Sequence, residues 1–224
     1  MLPELGLVLD AGTGFFRVRE HLVTPTLEIM LSHAHLDHVI GLTYLFDVLH
    51  KKNVERVTVR GAPRKLEVIA EQMLSPHLFP ATLPIQWAPL IGPVTLADGS
   101  RLTYFPLEHP GGSLGFRIDW PDRAFAFVTD TTAKPGAAYA AHLEGVDVLI
   151  HECNFPDGWE ALAEQTGHSC TTPVAELAKA VGVKRLILSH VFPISNEFDP
   201  LNLSVARRIF PNTDIAIDGL ELDV

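Results

Sequence analysis

Two cysteines in 224 residues, Cys153 and Cys170, are too few for a disulfide framework. No apolar run is long enough to span a bilayer and nothing resembles a signal peptide, so the cytoplasm is the expected location. Lys and Arg number 17 against 27 Asp and Glu, a formal charge of −10 with neutral histidines. That balance argues against a broad nucleic-acid footprint, which needs clustered bases to displace phosphate counterions. A small phosphorylated substrate stays compatible, because bound divalent cations make a local field positive even inside an acidic protein. There are no repeats, no low-complexity tract and no long linker, and the 17 prolines are spread along the chain. With 47% hydrophobic and 20% charged residues, the expectation is one globular domain over residues 1–224 with one substantial core.

What is present is concentrated first in residues 27–38, LEIMLSHAHLDH. Leu27, Ile29 and Leu31 alternate with Glu28, Met30 and Ser32 as in a strand, and Asp37 begins a helical pattern through Val39, Ile40, Leu42, Leu45, Phe46 and Leu49. His33, His35, Asp37 and His38 therefore occupy a strand-to-helix loop. In extended backbone His33 and His35 project to one side and can share a cation, while Asp37 and His38 turn towards a second. Imidazole and carboxylate suit zinc, manganese or iron, and no cysteine lies in the cluster. The competing reading is a polar loop with coincidental histidines.

Upstream, LGLVLD at 5–10 reads as a strand entering Ala11-Gly12-Thr13-Gly14, whose spacing fits an ordinary tight turn better than a phosphate loop. Asp10 is placed to brace the metal loop from behind. His21 and His50 have no partner spacing and read as solvated or packing residues. Downstream, 55–61 reads as a strand and 63–74 as a helix with proline in its first turn. The proline- and aromatic-rich stretch 75–93 reads as an irregular loop that walls a pocket or covers the core, with His77, Phe79 and Trp87 as packing residues.

Strands at 101–107 and 113–119 flank Glu108-His109-Pro110-Gly111-Gly112. His109 at a strand end is either structural or a ligand approached through the glycines. The strand in 124–132 delivers Asp130, read as a turn residue or as a carboxylate bridging two cations. VDVLIHEC, 146–153, ends in His151 and Glu152, which must face opposite sides, so at most one faces a site. His168 precedes a helix with Thr172 as expected N-cap and Pro173 at its first position. Strand 185–189 ends at His190, and the tail supplies one helix and one or two strands.

His33, His35, Asp37, His38, His109, Asp130 and His190 thus all lie at or beyond expected strand ends. Together they resemble the metallo-β-lactamase superfamily, marked by HxHxDH after a strand, here H-A-H-L-D-H, and by a later His, Asp and His. Within it, Ile150-His151-Glu152-Cys153-Asn154-Phe155, Gly167-His168-Ser169, HLFP at 77–80 and HPGGSLGFRI at 109–118 resemble the ribonuclease Z and small phosphodiesterase branch. The resemblance implies an α/β fold, the αβ/βα four-layer sandwich. It also implies two divalent ions, zinc first and manganese or iron next. One would be held by His33, His35 and His109, the other by Asp37, His38 and His190, with Asp130 bridging.

The same resemblance implies attack on phosphorus by metal-bound hydroxide, with Asp37 among the catalytic residues, His168 as general acid and Glu152 as its partner. The bland alternative makes His168 a helix-entry residue and Glu152 a surface carboxylate. Two departures from the branch stand out. GFRIDWPDRAFAFVTD passes directly from strand to strand where ribonuclease Z proteins carry a tRNA-gripping arm, which favours small or cyclic nucleotide phosphodiesters. The chain also begins almost at LVLDAGTG, which implies a first sheet shortened at the N-terminus or completed by a partner, as in a homodimer. Rivals are a thioester or lactone hydrolase on the same site and a non-catalytic metal or ligand carrier. A flavodiiron redox protein is disfavoured, since that branch places Glu where this chain has His35.

Overall fold

The computed structural model describes residues 1–192 and 199–224, which divide into two compact units, Met1–Asp98 and Gly99–Val224. In the first, the elements are β1 (Leu7–Leu9), α1 (Val18–His21), β2 (Thr26–Met30), α2 (Leu36–Val39), α3 (Leu45–Leu49), β3 (Arg56–Gly61), α4 (Pro63–Val68), β4 (Ile85–Pro89) and β5 (Val94–Thr95). Strands β1 to β4 form a sheet in sequence order, and every neighbouring pair is parallel. Parallel neighbours require a crossover between them, which the helices supply. Leu27, Ile29, Val57 and Val59 pack with Val39, Leu42, Leu45 and Val48 into this unit's core.

The helix expected from Asp37 to Leu49 is broken into α2, a 3-10 turn at Ile40–Tyr44, and α3. Gly41 explains the break. Its N–H donates to the Ala11 carbonyl at 2.7 Å, and a Cβ there would overlap the Gly12 carbonyl, so the chain is pinned backbone to backbone on the 11–14 segment. That segment runs into a 3-10 turn at Thr13–Arg17. The helix over 63–74 likewise ends early, passing from α4 into a π-helical turn at Ile69–Met73.

Stretch 75–93 is not wholly irregular, because Ile85–Pro89 is β4, paired with β3 from Val57↔Ile85 to Gly61↔Pro89. An edge position tolerates the flanking prolines. Trp87 packs on the core as expected, whereas His77 is exposed and takes no packing role.

The second unit contains β6 (Arg101–Leu107), β7 (Ser113–Asp119), β8 (Ala124–Val128), β9 (Val148–Glu152), α5 (Glu160–Thr166), α6 (Thr171–Val181), β10 (Arg185–Ser189), α7 (Leu203–Ile209) and β11 (Thr213–Ile215). Their sheet order is β11-β10-β9-β8-β7-β6. Antiparallel pairs join β6 to β7 and β7 to β8, and parallel pairs join β8 through β11. Two reversals return β8 to the direction of β6, so β6, β8, β9 and β10 all finish at one edge. Strands β9 and β10 read as continuous apolar runs, as parallel strands covered on both faces do. Between β7 and β8 the chain turns over residues 120–123, closed by Trp120 N–H donating to Arg123 O at 2.9 Å.

Helix α6 starts at Thr171, with Cys170 in the N-cap position, rather than at Pro173 after a Thr172 cap. The Asp157 carboxylate accepts from the Thr172 N–H at 2.8 Å and its hydroxyl at 2.6 Å, so a residue fifteen positions away does the capping. No helix among the described residues is long and apolar enough to cross a membrane.

Candidate metal centre

In the first unit the register places Leu9 opposite Met30, so Asp10 emerges beside the loop that follows β2. Asp10 Oδ1 accepts from the Ser32 N–H at 2.7 Å, and Oδ2 accepts from the Ser32 hydroxyl and from His38 Nδ1, both at 2.8 Å. With its proton given to Asp10, Ser32 Oγ accepts from His33 Nδ1 at 2.9 Å. One carboxylate therefore sets two imidazole tautomers, with the lone pair on Nε2 in both His33 and His38. The His33 ring lies 4.5 Å from that of His35 and 4.2 Å from that of His38, centroid to centroid, and His38 Nε2 is 3.3 Å from Asp37 Oδ2. Four expected ligands thus converge within this unit, and the bracing role expected of Asp10 is realised.

In the second unit His109, Asp130 and His190 follow β6, β8 and β10, and Glu152 ends β9. His109 Nδ1 donates to the Gly167 carbonyl at 2.9 Å, which leaves the Nε2 lone pair 3.5 Å from Asp130 Oδ2. The other carboxylate oxygen, Oδ1, lies 3.4 Å from His190 Nε2 and accepts from the Thr129 hydroxyl at 2.7 Å. Asp130 thus offers one oxygen to each of two histidines. The His109 Nε2 lone pair facing a carboxylate oxygen is an arrangement that a cation satisfies, and the imidazole and carboxylate donors of both units fit divalent metal.

Gly167 is required by geometry. Its φ is +75°, and a Cβ would overlap Pro110 Cδ and His109 Nδ1. Asp10 and His190 are themselves in the left-handed region, at φ 58° and 57°, a conformation that costs non-glycine residues about 1–2 kcal/mol. Asn154 Nδ2 donates to the His190 carbonyl at 2.8 Å and helps hold it there. Sequence reasoning assigned no role to Ser32, Thr129, Asn154 or Gly167; adjacency to a ligand marked the first two, and the last two lie in motifs that carry the resemblance.

Glu152 and His168 are brought together, with Glu152 Oε2 3.7 Å from His168 Nδ1. The His168 ring lies 5.2 Å from that of His190 and 5.1 Å from that of His109. Glu152 is fully buried, not a surface carboxylate, and its Oε1 accepts from the Thr131 N–H at 3.3 Å. Burial pushes its carboxyl up to about 7, against the opposing pull of His168. His151 points the other way. Its Nδ1 donates to the Glu152 carbonyl at 2.6 Å and its Nε2 accepts from the Tyr139 hydroxyl at 2.9 Å. Burial lowers its value to about 4, so it is a neutral core histidine.

The Glu152 shift has a consequence for stability. Because its folded value lies above the ordinary 4.5, the folded protein holds a proton that the unfolded chain has released between about pH 4.5 and 7. This group's contribution to stability is therefore lost as pH rises through that window, by at most about 3 kcal/mol. In metal-free protein, Glu152→Gln is expected to gain in Tm relative to wild type from about pH 5 to about pH 7 and to level off above. A Tm difference independent of pH would show that the carboxyl titrates normally.

The family profile described as beta-lactamase superfamily domain matches residues 7–191. A curated relative, ribonuclease Z of Gemmatimonas aurantiaca, is 25% identical over 272 aligned residues, covering 97% of this chain and 86% of the relative. The solved structure of the metallo-beta-lactamase fold protein YhfI from Bacillus subtilis is similar at a TM-score of 0.77 and 22% identity, over 96% of this chain and 85% of that one. A diphosphatase from the PhnP family is similar at 0.72 and 19%, over 97% and 79%. At these identities the structural likeness establishes the metallo-β-lactamase fold.

Proposed function

This chain belongs to the beta-lactamase superfamily, as a metal-dependent hydrolase, and we propose that the bond it cleaves is a phosphodiester in a small substrate. The observation that carries this reading is the buried Glu152 carboxyl beside His168, whose ring neighbours His109 and His190. A thioester, whose thiolate leaves as the anion, needs no group of this kind. A phosphodiester with an alkoxide leaving group does.

On the motif resemblance, we assign one divalent ion to His33, His35 and His109, a second to Asp37, His38 and His190, and the bridge to Asp130. Zinc is the ion we propose, and manganese and iron suit the same nitrogen and oxygen donors. The ions, when bound, supply positive charge to an anionic substrate and Lewis acidity towards water and the phosphoryl oxygens. Asp37, with its side chain 61% exposed, is open to solvent where His33 and His38 are buried. His168 delivers the proton to the leaving oxygen from its imidazolium form. Glu152, whose Oε2 lies 3.7 Å from His168 Nδ1, orients that ring.

The tight turn at 120–123 stands where the resemblance expects a tRNA arm, and with the acidic balance it favours a small substrate over an extended RNA. Free thiols at Cys153 and Cys170, both raised by burial, suit a reducing cytoplasm, the location we propose along with a homodimeric state. The test is a substrate panel on metal-loaded protein whose metal content has been measured. Bis-p-nitrophenyl phosphate or a cyclic nucleotide is expected to be cleaved. Release from a thioester or lactone alone would overturn the phosphodiester reading, and tight metal binding without any turnover would favour a carrier.

A further inference from the structure

The first unit contains a cavity of about 450 Å³, within the range of small-molecule sites, whose walls include Ala34, Leu36, Val39, Ile69, Met73 and Phe79. Two of these are the residues between the metal ligands of the H-A-H-L-D-H motif. Ala34 separates His33 from His35 and Leu36 separates His35 from Asp37, so the loop that carries the ligands is itself one wall of the cavity. Leu36 is 64% exposed and Leu78, also on the lining, is 74% exposed, so the rim presents aliphatic surface to water. Ile69, Gln72 and Met73 on the lining belong to the π-helical turn at Ile69–Met73, a rare geometry that recurs at functional sites.

Resting on the phosphodiester reading, we propose that this cavity binds the aliphatic arm of the substrate, the part that stays on phosphorus while the other alcohol leaves. The lining excludes a nucleobase as the preferred occupant. A base needs fixed donors and acceptors along its edge, and the polar lining residues are Thr43, whose hydroxyl donates to the Ile40 carbonyl at 2.7 Å, and the exposed Gln72. An aliphatic chain needs only apolar surface, and the unbranched Met73 adapts to its shape.

The experiment uses metal-loaded protein and alkyl p-nitrophenyl phosphates from methyl to octyl, with p-nitrophenolate release as readout. kcat/KM is expected to rise about threefold per added methylene from butyl to octyl. Met73→Trp, which fills the cavity, is expected to flatten that rise. A wild-type series independent of chain length, or faster cleavage of the thymidine 5′-phosphate p-nitrophenyl ester than of the octyl ester, overturns the proposal. If no ester is cleaved, the phosphodiester reading falls. Calorimetry then decides the cavity by itself: octyl phosphate binding at least tenfold tighter than methyl phosphate supports an aliphatic site, and equal binding overturns it. Should Met73→Trp fail to fold, the same two phosphates compared on wild type give the decision.

Discussion

Replacing His168 with alanine is expected to lower turnover of phosphodiesters with alkoxide leaving groups by about 10²–10⁴-fold, while p-nitrophenyl esters lose no more than about tenfold. The contrast follows from the leaving group. An alkoxide must be protonated as it departs, whereas p-nitrophenolate is stable enough to leave as the anion. His168 is held for this work by its backbone N–H donating to Ala163 O at 2.8 Å, by the αL turn at Gly167, and by Glu152 at 3.7 Å. Rates of both ester classes, measured with Tm as the check on folding, settle the matter. Equal losses in the two classes would make His168 a structural residue and remove the main support for phosphodiester chemistry. His168→Asn keeps a polar partner for Glu152, so the comparison survives if the alanine variant is unstable.

Asp130→Ala is expected to cost at least one of two bound metals and about 10²-fold or more in activity. Asp130 is 2% exposed, with Oδ2 3.5 Å from His109 and Oδ1 3.4 Å from His190, so its removal takes the negative charge from between two imidazoles at once. Elemental analysis on wild type, Asp130→Ala and the isosteric Asp130→Asn provides the readout. Retention of both metals at unchanged affinity would refute the bridging assignment. A protein that loses metal yet keeps its Tm near that of metal-free wild type would locate the defect in ligation rather than in folding.

Strand positions were legible where the pattern is local. The strands expected at 101–107 and 113–119 appear with those bounds, because alternation and the turns on either side are properties of neighbouring residues. Helix limits were less legible. The break at Gly41 depends on the 11–14 segment, and the start of α6 depends on Asp157, so both are decided by residues remote in sequence. Strand β4 was hidden because its prolines advertise a loop, and pairing with β3 overrides that local preference.

The sequence by itself determined the side chains available: an HxHxDH loop, a later His, Asp and His at strand ends, and the Glu and His of the IHECNF and GHS motifs. Ligand types follow from side-chain identity, and strand-end placement follows from periodicity, so neither needs coordinates. Only the tertiary structure decided which nitrogen each histidine presents, because the tautomers of His33, His38 and His109 are set by Asp10, Ser32 and Gly167, partners that hydrogen-bonding geometry alone can reveal. It also decided that Glu152 is buried and His151 turned away, since facing depends on what packs against β9. The aliphatic cavity behind Ala34 and Leu36 belongs to the same class, for an empty volume is a property of packing and has no signature in the chain.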